Sequence, residues 1–160
     1  MSMPCPDKGP VPEPVAALAR FLFWEAGSNS VRTREALAAT IVNQARRLRR
    51  AGEGGIIHLA KAPCHEDVAF LVAEVLARLP MVEAAWPRSD DPLYASCCRI
   101  AKRAITGALH DPTAGAVRFQ KVGESPDASS AGSQSWIGPY LFYAEDETSA
   151  DPVGTSHTGM

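Results

Sequence analysis

Four segments of the chain carry apolar residues at helical spacing, and glycine, proline or a polar cap closes each of them. This pattern restricts the fold most, because amphipathic helices must bury their stripes against one another. Val15, Leu18, Ala19, Leu22 and Ala26 share one stripe, which predicts a helix from Val15 to about Ala26 after Pro12 and Pro14. Gly27 breaks it, and Ser28, Asn29 and Ser30 offer caps to a second helix from Val31 to about Arg50, striped by Leu37, Ile41, Ala45 and Leu48. Arg46, Arg47, Arg49 and Arg50 crowd its end, where the helix dipole favours positive charge, before Gly52, Gly54 and Gly55. A third helix is expected from about Cys64 to Leu79, with Glu66 and Asp67 in its first turn and Pro80 as its stop. Asp91 caps a fourth, opened by Pro92 and running to about Leu109 through Leu93, Cys97, Ile100, Ala101, Ala104 and Ala108.

The period changes after a turn at His110 to Thr113. Ala116 to Lys121 alternates as a strand, with Val117 and Phe119 on one face, and Ile137 to Ala144 is a second candidate strand rich in tyrosine and phenylalanine. Met81 to Arg88 reads as a loop, and Gly123 to Ser135 as a mobile Gly/Ser/Asp-rich connection. The expected fold class is α+β, mainly helical, with four helices and a small antiparallel two-stranded sheet. It forms one domain over residues 13–145, between disordered tails at 1–12 and 146–160.

Composition narrows the function classes. A net charge of -2 lacks the basic surplus of a nucleic-acid binder, so no nucleic-acid partner is expected. No apolar run approaches the ~18 residues that span a bilayer, so no membrane insertion is expected. Met1 to Glu13 is polar and proline-rich, unlike a secretory signal, so the expectation is synthesis in the cytoplasm. The four cysteines, Cys5, Cys64, Cys97 and Cys98, form no CxxC pair and are expected to be reduced thiols.

Glu25 is the residue out of place. Leu22, Phe21 and Leu18 lie three, four and seven positions before it, so it shares a face with apolar neighbours, and Phe23 and Trp24 flank it. Desolvation there raises a carboxyl pKa, as a general acid for a glycosidic oxygen requires, and a tryptophan-walled pocket is one way to achieve it. The end of a helix adds to that effect. The same spacing also admits a boundary glutamate that turns out to solvent.

Five ordered blocks then resemble a known family. Ala19-Arg20-Phe21-Leu22-Phe23-Trp24-Glu25-Ala26 looks like an opening helix ending in a Gly-Glu-Ala-like step with a catalytic glutamate. Ala36 to Gln44 is similar to a second helix carrying an Asn-Arg pair, and Trp86-Pro87-Arg88-Ser89-Asp90-Asp91-Pro92 to a loop with Trp-Asn and a later Asp-Pro. Ala101 to Gly107 followed by Asp111-Pro112-Thr113-Ala114-Gly115-Ala116 resembles an Asp-Pro-Thr-Gly-Gly-Ala turn into a strand. Trp136 with Ile137-Gly138-Pro139-Tyr140-Leu141-Phe142-Tyr143 resembles a closing Ile-Gly-x-His-x-Phe-Tyr strand. Together these resemble the bacterial SleB-type cell-wall hydrolases, spore-cortex-lytic enzymes with a lysozyme-like catalytic domain, over roughly Val15 to Tyr143, about four-fifths of the chain.

The resemblance implies cleavage of peptidoglycan glycan strands between N-acetylmuramic acid and N-acetylglucosamine, by hydrolysis or lytic transglycosylation. Glu25 is then a single acid/base that needs no second carboxylate, with Asn43, Trp86, Gln120, Trp136 and Tyr140 as candidate substrate contacts. No metal or other cofactor is implied, and the chain is expected to be a monomer. Its site of action would be the periplasm or cell wall, reached by a phage-like or other signal-independent route. The pattern departs at Asn43-Gln44, where the pair loses its arginine, at Arg118-Phe119-Gln120, which replaces a His-Tyr-His-like run, and at Tyr140, which stands at a histidine position. An inactive glycan-binding module on the same fold is the alternative.

Other clusters carry less. Cys64-His65-Glu66 with His58 matches no zinc spacing and reads as a helix start. The arginine cluster reads as a solvated helix end, with peptide-stem carboxylates as a second possibility. Trp86 and Trp136 fit either core aromatics or sugar platforms. A serine or cysteine nucleophile lacks a histidine, since His110 sits in a turn and His157 in a tail.

Overall fold

The computed structural model of the protein describes residues 13–53, 65–79, 85–123 and 133–144. Both expected tails, most of the 123–135 connection, part of the 81–88 loop, and Cys5, His58, Cys64 and His157 lie outside the described residues. The elements are α1 (Glu13–Ala26), α2 (Val31–Glu53), α3 (His65–Arg78), α4 (Pro92–Ile105), β1 (Arg118–Lys121), β2 (Gln134–Ile137) and β3 (Tyr140–Tyr143). The fold is α+β and mainly helical. The sheet has three antiparallel strands in the order β1-β3-β2, which corrects the expected two.

Local chemistry sets the helix ends. The Gly27 amide closes α1 on the Phe23 carbonyl at 3.1 Å. The Ser30 hydroxyl then caps α2 by accepting from the Thr33 amide at 3.2 Å. The Asp91 carboxylate caps α4 by accepting from the Leu93 amide at 2.8 Å. Sequence periodicity carries α4 on to Leu109, but the helix ends at Ile105. Gly107 adopts φ 80, the Ala108 amide reaches back to Arg103 and the Gly107 amide to Ala104, which together form a Schellman stop.

α2 is the hub of the molecule. Every residue from Ala36 to Val42 is buried, so the helix is covered all round rather than along one stripe. Ala36, Ala38 and Ala39 are short enough for neighbouring elements to approach on every side. Ala36 and Ala38 belong to one core that joins all four helices with Ile137, Tyr140 and Phe142.

The extra strand comes from a hairpin. Ile137 pairs with Tyr140, so Gly138 and Pro139 alone form the loop. Gly138 has φ 58 while proline fixes its own φ near -65°, a combination that selects a type II′ turn. The expected single strand from Ile137 to Ala144 is therefore broken at that turn, and Gln134 to Ile137 forms the missing partner.

Candidate active site

Glu25 lies in the last turn of α1, partly buried. Opposite it, the ring of Tyr140 is fully buried on the core side of β3. The Tyr140 hydroxyl lies 2.9 Å from Glu25 Oε1 and 3.0 Å from the Glu25 main-chain oxygen, and donates to them. No other described residue hydrogen-bonds this carboxylate, so Oε1 is held and Oε2 accepts from none of them. Gly138 sets this contact from below: a Cβ there would meet Thr33 Oγ1 at 2.6 Å. The hairpin turn thus seats directly on the first turn of α2, and Tyr140 emerges two residues later, beside the end of α1.

The wall beside Glu25 is aromatic, but it is not the expected tryptophan. Phe21 meets Phe119 with ring centres 6.1 Å apart, Phe119 meets Tyr140 at 6.0 Å, and Tyr140 meets Phe142 at 6.1 Å. Trp24 is half exposed and donates its indole N–H to the Ala85 carbonyl at 3.1 Å. Successive helix residues step by about 100°, so a flanking residue points off the face that Glu25 shares with Phe21.

Asn43 serves a different structure. Its amide donates to Asp111 Oδ2 at 2.9 Å and to the Ala116 carbonyl at 3.0 Å, which engages both of its N–H bonds. Gln44 beside it donates to the Val117 carbonyl. Asp111 also accepts from the Thr113 amide at 2.8 Å, the Thr113 hydroxyl at 2.6 Å and the Gly115 amide at 2.9 Å. Burial pushes the Asp111 carboxyl up, but hydrogen bonds from Thr113, Asn43 and Gly115 outweigh it and hold the group below the usual carboxylate range. The pair on α2 and the Asp111 turn therefore form a latch that fixes where β1 begins. Ala114 within it holds φ 54, in the left-handed region that glycine favours.

The remaining expected contacts lie on other surfaces. Gln120 pairs with Leu141 and Trp136 pairs with Leu141, so the three form one row across the sheet. Side chains alternate faces along a strand, which puts this row opposite the Tyr140 and Phe142 side that enters the core. Trp136 is 64% exposed there. Trp86 is also exposed, and the Arg20 guanidinium sits 4.5 Å from the centre of its ring. Arg20 is five residues before Glu25, about 140° away around the helix.

The structure thus joins Glu25 with Tyr140, commits the Asn43 amide to Asp111 and Ala116, places Trp86 against Arg20, and puts Gln120 and Trp136 on the sheet face opposite Tyr140. Phe119 is the site residue that the sequence reading left out, although strand alternation already set it on the face opposite Gln120. No group of three or more histidine, cysteine or acidic side chains suited to a metal occurs among the described residues. No described helix is long and apolar enough to cross a membrane. Comparison with protein-family models, curated proteins and solved structures gives no match to this chain.

Proposed function

We propose that the protein cleaves peptidoglycan glycan strands, as a glycosidase or lytic transglycosylase of lysozyme-like fold, with Glu25 as its single acid/base. One observation carries the reading. The Glu25 carboxylate is held at Oε1 by the buried Tyr140 hydroxyl against an aromatic layer, while Oε2 takes no hydrogen bond from any described residue. A fixed carboxyl with one open oxygen suits proton transfer to a bridging glycosidic oxygen. In the transglycosylase course, the same group, once deprotonated, takes a proton from a hydroxyl of the muramic acid ring. That hydroxyl then closes on the anomeric carbon, and an anhydro sugar leaves without a second carboxylate. The hydrogen bond from the Tyr140 hydroxyl to Oε1 restricts the rotamers that the Glu25 side chain samples, which lowers the cost of reaching that geometry. The ordered family-like blocks supply the substrate class. The protein would act in the periplasm or cell wall, where that substrate lies.

A second reading, a glycan-binding module without catalysis, is favoured by the placement of Gln120 and Trp136 on the sheet face opposite Tyr140. A zymogram containing purified peptidoglycan separates the two. Clearing by the wild-type protein is expected, and an uncleared gel that still retains the protein on peptidoglycan would favour the binding module.

A further inference from the structure

A cleft of about 680 Å³ lies between α1 and α3 beside Trp86, and neither Glu25 nor Tyr140 lines it. Its size falls within the range of small-molecule sites, roughly 300–1,000 Å³. Phe70, Ala73 and Ala77 line it from α3, three and four residues apart, and Glu13, Ala17 and Arg20 line it from α1, four and three apart. Each set therefore shares one helix face, and the three alanines leave room between the helices that larger side chains would close. Phe70 is 64% exposed and Trp86 58%, and both border this one cleft. Aromatic rings scattered singly over a surface need no explanation, whereas two left in water around one concavity offer a ligand ring a place to pack. Trp86 is fixed there from behind. The Trp24 indole N–H donates to the neighbouring Ala85 carbonyl at 3.1 Å, and the Arg20 guanidinium, 4.5 Å from the centre of the Trp86 ring, already lies against it. Apart from Arg20 and Glu13, the described lining residues are all apolar. Glu13 is exposed and forms no ion pair among the described residues. A carboxylate beside the electron-rich faces of aromatic rings favours a cationic group over an anionic one.

We propose that this cleft binds a small aromatic amine, a planar apolar ring bearing one cationic nitrogen. The ring packs against Phe70 and Trp86 over the three alanines, and the cationic nitrogen pairs with the Glu13 carboxylate. The site is independent of the glycan-cleaving reading.

The test is calorimetric titration of the full chain, at about 150 mM NaCl, with three probes that share one ring system: cationic tryptamine, neutral indole and anionic indole-3-acetate. Saturable binding of tryptamine is expected, tighter than that of indole, with indole-3-acetate the weakest. F70A and W86A are each expected to weaken tryptamine binding at least about fivefold. F70A removes a mostly exposed ring, so its thermal midpoint should match wild type, which keeps lost binding apart from lost folding. E13Q should bring tryptamine down to the affinity of indole, a loss of up to about fivefold. E25Q is expected to bind like wild type, which keeps this result separate from any result on cleavage. No saturable heat with tryptamine, affinity unchanged in F70A and W86A, or tightest binding of indole-3-acetate would overturn the proposal. So would a dimer of the free protein in sedimentation velocity that F70A dissolves, because a second copy then fills the cleft.

Discussion

Tyr140 has one hydroxyl proton and two acceptors on Glu25, the main-chain oxygen and Oε1, within 3.0 Å. Removing that hydroxyl in Y140F frees the carboxylate without opening a large cavity. The expected loss is about 1 kcal/mol of stability together with a clear drop in turnover on peptidoglycan. Chemical unfolding and a turbidity assay check the two parts. At Ala114 the backbone is strained by a side chain where the resembled turn has glycine. A114G is expected to stabilise the fold by about 1 kcal/mol, the left-handed penalty less the entropy of glycine, read as a higher unfolding midpoint. Asp111 has a depressed carboxyl pKa, so its contribution is present above the unfolded value of about 3.9 and is lost as pH falls through the lower folded value. D111N is expected to cost about 1–3 kcal/mol at neutral pH, with the gap to wild type narrowing below about pH 4 in urea titrations. At this scale Glu25 was legible because three-, four- and seven-residue spacing fixes a helix face. Its partner was not, because only tertiary packing brings a strand tyrosine 115 positions away into contact with it.

The helices were legible as elements, since their periodicity and caps are local. Their ends were less so: α4 continues its apolar period beyond Ile105, and only the left-handed Gly107 and its returning hydrogen bonds stop it. β2 was missed because Gln134 and Ser135 follow a serine- and glycine-rich stretch, and because aromatic residues mask the turn at Gly138-Pro139. A Gly-X pair between two strand-like runs is nevertheless a hairpin signal. The turn makes a sharp prediction. G138A places a Cβ at 2.6 Å from Thr33 Oγ1 and forces alanine to φ 58, so at least about 2 kcal/mol should be lost. Adding Thr33→Ala should restore the steric part and leave the backbone part, which a double-mutant cycle of unfolding free energies resolves. The α2 latch was partly legible: the Asp-Pro-Thr turn stood out in sequence, whereas Asn43 read as a substrate contact because nothing local shows its amide turning to Asp111.

Across the described residues, one core unites the helices with the inner face of the sheet, while Trp136 on the outer face is largely exposed. That division separates residues tied to Glu25 from residues that are not. W136A removes an exposed side chain on the outer face, so stability should change by less than about 0.5 kcal/mol and cleavage should persist, in contrast to Y140F. The most direct test of the central claim is mass spectrometry of muropeptides released from purified peptidoglycan by the wild-type protein and by E25Q. Release by the wild type, with anhydro ends if transglycosylation operates, and none above background by E25Q is the expected result. Equal release by both proteins would remove Glu25 from its acid/base role, and no release by the wild type would contradict cleavage itself.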